Sequence, residues 1–191
     1  MRPIDRNEVL PIGDYEQIRT RFRTRVIEEK KRRRVAVGSH MSVIFENRDT
    51  VLLQIQEMLR AERITSESAI RHEIETYNDL LPGENELSMT LFIEISDAVL
   101  REQTLIDLQG LEEKVGLEVD GALFAATHPP HGVMPDRTTA VHYFKVKLSP
   151  EASKSIANKS VSVSVRVFHP LYDARAELSR AVLANLAEDF V

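Results

Sequence analysis

The sequence has no cysteine and no tryptophan, and only seven glycines in 191 residues. Without thiols there is no disulfide frame, no thiolate nucleophile, no cysteine-ligated iron–sulfur cluster and no zinc–thiolate centre. The few glycines form neither GxGxxG nor the P-loop pattern, so both common phosphate cradles are missing. GxSxG and HExxH are absent as well. No apolar run approaches the roughly 18 residues of a membrane span. Met1-Arg2-Pro3-Ile4-Asp5-Arg6 runs straight into polar residues without the apolar stretch of an export signal, so a cytoplasmic location is expected.

What is there suits an ordinary globular chain. This length buries about 70% of the unfolded surface, so folding needs neither metal nor disulfide. The charge is uneven. Residues 1–34 hold 11 Lys and Arg against six Asp and Glu, a net of +5, and residues 35–191 hold 14 against 24, a net of −10. Such an asymmetry marks either a basic contact surface or a basic helix lying on an acidic remainder.

Tyr15, Ile18, Phe22 and Val26 make one helical stripe over residues 14–33, with Lys30 to Arg34 at the end where the helix dipole favours cations. Residues 40–46 read as a strand. Asn47 to Thr50 supply caps for a helix over about 50–62, and Thr65-Ser66-Glu67 starts another that Pro82-Gly83 stops. From Leu87 the period changes to two, and 87–95, 139–148 and 160–169 read as strands. A helix is expected over about 97–108. Asp120-Gly121 is the favoured two-residue hairpin turn within 115–126. Residues 127–137 are a loop, Ser149-Pro150-Glu151 starts a helix, and 172–189 is expected as a closing helix. The order predicts one α+β domain over 1–191. An N-terminal helical region spans about 1–83. An antiparallel sheet packed with helices follows over about 84–191, mainly in the C-terminal half.

Four groups of residues are candidates for chemistry. The polar run Glu46, Arg48, Asp49, Glu57 and Arg60 sits at a strand-to-helix junction, where backbone N–H groups converge. Glu57 and Arg60 are three apart on a helix and within pairing reach. Arg48 is about 14 Å from Glu57 along one helix, so a second element must close any shared pocket. The strand at 139–148 or at 160–169 is the expected one. His128 and His131 flank two prolines that open the pair in an extended chain. His142 and His169 lie on the apolar parity of their strands. If these two strands form a hairpin, the imidazoles stand roughly 10 Å apart, too far for one metal, and read as separate hydrogen-bonded core histidines. Lys30 to Arg34 is the fourth group, and poor aromatic interleaving favours a docked helix end over a nucleic-acid contact.

Arg2-Pro3-Ile4-Asp5-Arg6, Arg32-Arg33-Arg34-Val35, and above all the block from Phe45-Glu46-Asn47-Arg48-Asp49-Thr50 to Arg60-Ala61-Glu62 resemble a bacterial family known as domain of unknown function 3501. Tyr77-Asn78, Leu80-Leu81-Pro82-Gly83 and Thr90-Leu91-Phe92-Ile93-Glu94-Ile95 fit it too. The resemblance implies a bacterial protein whose neighbours are rubrerythrin-like proteins and an iron–sulfur oxidoreductase subunit. It therefore implies a non-catalytic accessory or partner in redox or peroxide stress. Two alternatives stand beside it: a metal- or small-acid-binding enzyme using the Glu46–Arg60 block, and a nucleic-acid-binding protein using the basic helix. No cofactor is expected, and a metal held without thiolates is the one form that the composition leaves open.

Overall fold

Period-two alternation produces eight strands, and the 3.6-residue pattern produces six α-helices, in the computed structural model, which describes residues 1–129 and 134–190. In chain order α1 (Ile12–Arg32) is followed by β1 (Arg34–Val37) and β2 (Met41–Phe45). Then come α2 (Arg48–Ala61), α3 (Glu67–Asn78), β3 (Glu86–Ile93) and α4 (Ala98–Asp107). A short 3-10 turn at Leu111–Glu113 leads into β4 (Val115–Val119) and β5 (Ala122–Ala125). The chain continues with β6 (Val141–Lys147), α5 (Pro150–Ala157), β7 (Val163–His169), β8 (Tyr172–Glu177) and α6 (Arg180–Ala187).

The strands form two antiparallel sheets, β1-β2-β3-β6 and β5-β4-β7-β8. The fold is thus α+β, with six of the eight strands after residue 84. Val43, Phe45, Met89, Leu91 and Phe144 of the first sheet share one buried cluster with Leu117, Val165 and Val167 of the second. The sheets also meet at their edges. Tyr172 of β8 donates its hydroxyl to the Val37 carbonyl at the end of β1 (2.7 Å). At the opposite edge Thr127, just past β5, exchanges backbone hydrogen bonds with Lys145 of β6 at 2.7 and 2.8 Å. That second seam is a single bridge, so side chains around it are not locked into a continuous ladder.

A smaller apolar cluster lies outside the sheets, where Ile4 and Val9 insert among Val51, Ile55 and Leu59 of α2 and Ile70 and Ile74 of α3. Side-chain amides hold this N-terminal arm in place of a strand partner. Asn78 pairs with the backbone of Ile4 at 2.8 and 3.1 Å, and Gln56 with that of Leu10 at 2.7 and 3.2 Å.

Several sequence expectations meet their elements closely. The helix of residues 14–33 runs Ile12–Arg32, and Asn47 caps α2 by accepting the Thr50 N–H at 3.0 Å. Asp120 and Gly121 both take positive φ, +51° and +84°, as a tight hairpin turn between β4 and β5 requires. Two expectations are corrected. Residues 172–189 are a strand and then a helix: Tyr172, Ala174 and Ala176 alternate toward the core, and the two-residue turn Pro170-Leu171 folds β8 back on β7. The strands at 139–148 and 160–169 do not form a hairpin. β6 pairs with β3, β7 pairs with β4 and β8, and α5 carries the chain from one sheet to the other. No helix among the described residues is long and apolar enough to cross a membrane.

Candidate functional site at the sheet seam

The polar run at the junction of β2 and α2 is a set of closed pairs. Glu57 receives both Nε and Nη2 of Arg19 at 2.8 Å and the hydroxyl of fully buried Tyr15 at 2.6 Å. The Arg19 guanidinium, with help from the Tyr15 hydroxyl, holds the Glu57 carboxyl below the usual carboxylate range against the opposing effect of burial. Burial, and then the same carboxylate, push the Tyr15 phenol up. Arg60 pairs with Glu16 rather than with Glu57, and Asp49 takes a two-point grip from Arg25. Arg48 binds Glu8 at 2.7 Å and the carbonyls of Arg2 and Pro3 at 2.8 and 3.1 Å. The element that closes over the block is therefore α1 together with the N-terminal arm, not a strand. These contacts fasten α1 and the arm to α2 and use up the polar groups.

Glu46 is different. It is 2% exposed and accepts from the hydroxyls of Thr50 and Thr90 (2.6 Å for Thr90) and from Gln54 at 3.4 Å, with no cation paired to it among the described residues. Thr90 stands opposite Tyr143 in the β3–β6 register, so this carboxylate lies in the wall behind Tyr143.

The basic run ends docked. Arg33 is 2% exposed and grips Asp189 at 2.7 and 2.8 Å and Glu29 at 2.6 Å; Lys31 pairs with Glu28, and Arg34 with Glu94.

The open polar groups gather at the β5–β6 seam instead. Two lobes of about 430 and 490 Å³ share His128, Pro129 and Tyr143. Glu112, Thr138, Thr139 and His142 line the first lobe; Tyr77, Asp79, Ser88 and Lys145 line the second. In the first lobe the Thr138 hydroxyl lies 3.3 Å from Glu112 Oε2 and 2.9 Å from His142 Nε2. When that hydroxyl donates to the carboxylate, its oxygen accepts from the imidazole, and the three groups form one chain. Glu112 and Thr138 are both buried, and Glu112 has no cation paired to it among the described residues. An unpaired buried carboxylate facing a cavity is costly unless something else occupies that cavity.

The two imidazoles of this lobe have opposite protonation preferences. His128 Nδ1 faces the Pro129 carbonyl at 2.9 Å and Nε2 faces Glu113 Oε1 at 2.9 Å. Two acceptors require two donors, which only the imidazolium supplies. The Glu113 carboxylate accordingly raises His128 above the ordinary histidine value, and the Pro129 carbonyl adds to it. Burial lowers His142, the His128 charge lowers it further, and the Thr139 carbonyl and Glu112 pull it partly back.

His169 does not line this cavity. His169 sits in the other sheet, with Nδ1 accepting the Leu171 N–H at 3.2 Å and Nε2 set to donate to the Gln109 carbonyl at 3.1 Å. Both of its nitrogens are used, as for a hydrogen-bonded core histidine. His131 lies outside the described residues. Among the described residues no three His, Cys, Asp or Glu side chains are grouped to hold a metal ion. Sequence reasoning missed Glu112, Thr138, Ser88, Tyr77 and Tyr143. The available signal was Tyr143, an aromatic on the outward parity of an alternating strand.

Fold and seam together define an α+β protein of two edge-joined antiparallel sheets with a polar cleft at one join. The chain matches the family described as protein of unknown function (DUF3501) over residues 3–190 and belongs to it. A crystal structure of a novel protein of unknown function from Burkholderia pseudomallei K96243 superposes with a TM-score of 0.91 at 31% identity, covering 100% of each chain. No curated protein matches the chain.

Proposed function

We propose that this protein binds a small organic molecule in the seam cleft and moves a proton to or from it between His142 and His128. The observation that carries this reading is the pair of imidazoles in one cavity, one favoured as the cation and the other as the neutral base. Titratable groups whose surroundings drive their pKa values apart are the usual mark of an acid and a base working together. In these roles His128 is the proton donor. His142 is the acceptor, steadied through Thr138 by Glu112. The lobe volumes are those of small-ligand pockets. NMR titration of the imidazole Cε1–H signals tests the acid–base assignment, with His128 expected to titrate above and His142 below the free histidine value. Fragment-induced amide shifts test the binding, and they should concentrate on Glu112, Thr127, His128 and Thr138–Tyr143. Histidines that titrate together at the free value, or shifts centred elsewhere, would overturn the reading.

The accessory role implied by the family resemblance is a second reading, favoured by the outer face of α4. There Val99, Leu100 and Ile106 are exposed. An apolar group of this kind suits a protein partner. Sedimentation of the chain mixed with a purified rubrerythrin-like protein tests it. A joint boundary that disappears in Leu100→Asp supports the role, and independent sedimentation counts against it.

A further inference from the structure

We infer that the second lobe of the seam cleft is the seat for an organic cation, a primary ammonium carried on a hydrocarbon body. This deepens the reading of the cleft as a ligand site and rests on it. Three observations lead here. The first is charge. The cleft and its wall hold the carboxylates of Glu46, Asp79, Glu86, Glu112 and Glu113. The cations lining it among the described residues are Lys145 and His128, and each already has a carboxylate partner, Glu86 at 3.3 Å and Glu113 at 2.9 Å. The negative charge left over belongs to Glu46, Asp79 and Glu112.

The second observation is an unused polar group. Ser88 is 3% exposed, lies on the outward parity of β3 and lines the lobe, and its hydroxyl has no hydrogen-bond partner among the described residues. That oxygen is open to the lobe, and an ammonium seated against it donates a hydrogen bond to it. The third is aromatic. Tyr77 and Tyr143 bound the same lobe, one from α3 and the other from β6. Their phenols are raised first by burial, and the carboxylates that act on them are Glu73 for Tyr77 and Glu46 for Tyr143. Ring faces in a field of that sign attract a cation and repel an anion. The ammonium donates to Ser88 Oγ, to the Asp79 carboxylate and to a tyrosine oxygen, and its hydrocarbon body lies along Leu80 and Pro129. The other end of such a ligand points toward His142 in the first lobe.

Three probes of one shape and different charge test this: benzylamine, benzyl alcohol and benzoate, added to the full chain and followed by amide chemical shifts at about 0.15 M salt. Benzylamine is expected to bind at least about fivefold more tightly than benzoate, with shifts on Tyr77, Asp79, Ser88 and Tyr143. Tyr143→Leu, at a position 38% exposed, is expected to weaken benzylamine about tenfold while leaving the far-sheet signals of β7 and β8 unmoved. Benzoate binding the same residues as tightly as benzylamine overturns the cation assignment and leaves the cleft reading standing. Shifts centred elsewhere for all three probes, or none at all, overturn both.

Discussion

Glu57 and Glu112 are both carboxylates on short stretches of charged residues, and the protein treats them in opposite ways. Glu57 meets a bidentate Arg19 and the Tyr15 hydroxyl, with Arg23 close by at 3.7 Å. Glu112 is more deeply buried and has one long contact from Thr138 among the described residues. The same contrast separates whole regions. Between α1, α2 and the N-terminal arm, Glu8, Glu16, Asp49 and Glu57 each meet at least one arginine. At the seam, Glu112 and Ser88 face a cavity with bonding capacity unused. A matched region holds elements together, whereas an unmatched buried carboxylate that faces a cavity is costly unless something occupies that cavity. Density of charge in the sequence marks a block of closed pairs, and incompleteness of pairing marks the seam.

The sharpest way to break this comparison is to unmatch a matched group. Arg33 is sealed against Asp189 and Glu29, so Arg33→Met strands the Asp189 carboxylate in a buried site. The expected loss is about 3–5 kcal/mol, read as a lowered midpoint in urea unfolding. The double variant Arg33→Met/Asp189→Leu should recover most of it, because the uncompensated charge is gone. Next in size is Glu57→Gln. It removes the charge that holds Arg19 and leaves the buried Tyr15 hydroxyl a weaker acceptor, and the expected cost is about 1–2 kcal/mol. For a chain of this length that lowers the melting temperature by roughly 2–8 °C. An unchanged or higher melting temperature would move Glu57 into the unmatched class.

Much of the fold was legible because its causes are local. Caps at Asn47 and Ser149, the Asp120-Gly121 turn and the Val163-Val165-Val167 alternation each act within a few residues. The split at residues 172–189 was obscured because Ala174 and Ala176 suit a helix as readily as a strand, and pairing with β7 decides between them. The site was less legible for the same reason on a larger scale. His142 and His128 stood out as titratable residues, but their surroundings come from Glu112, Glu113 and Thr138, brought together by the closure of β5 on β6. Ser88 was one of many serines until the lobe around it was seen. The polar block at Glu46–Arg60 stood out because its residues adjoin in sequence, and adjacency on α2 is what allows α1 and the N-terminal arm to pair off Arg48, Asp49, Glu57 and Arg60.

The unmatched region predicts a reversed response to mutation. Glu112→Gln keeps the shape, removes a buried charge without a cation and retains an acceptor for Thr138. The expected change is within about 1 kcal/mol of zero or stabilising, read by thermal melting beside Glu57→Gln. Fragment-induced shifts at Thr138 and His142 should weaken in the same variant. A loss of stability equal to that of Glu57→Gln would erase the distinction and make Glu112 a structural group like the others.

The smallest expected effect is also the most specific, because the two histidines must move stability in opposite directions as pH changes. His142 is lowered by burial and by the His128 charge, so the unfolded chain binds its proton more readily than the folded one. Stability from His142 is therefore full above about pH 6.5 and drains away as pH falls toward its lower folded value. His128 is raised by Glu113, so the folded chain binds its proton more readily. Its contribution is full below about pH 6.5 and is lost as pH rises through the raised folded value. Melting curves of the wild type, His142→Asn and His128→Asn between pH 5 and 8 separate the two. Relative to His142→Asn the wild type should gain stability as pH rises across that window, and relative to His128→Asn it should lose it. Two difference curves of the same slope would mean that the imidazoles share one environment, and the pairing of a resident acid with a resident base in the seam would fall with it.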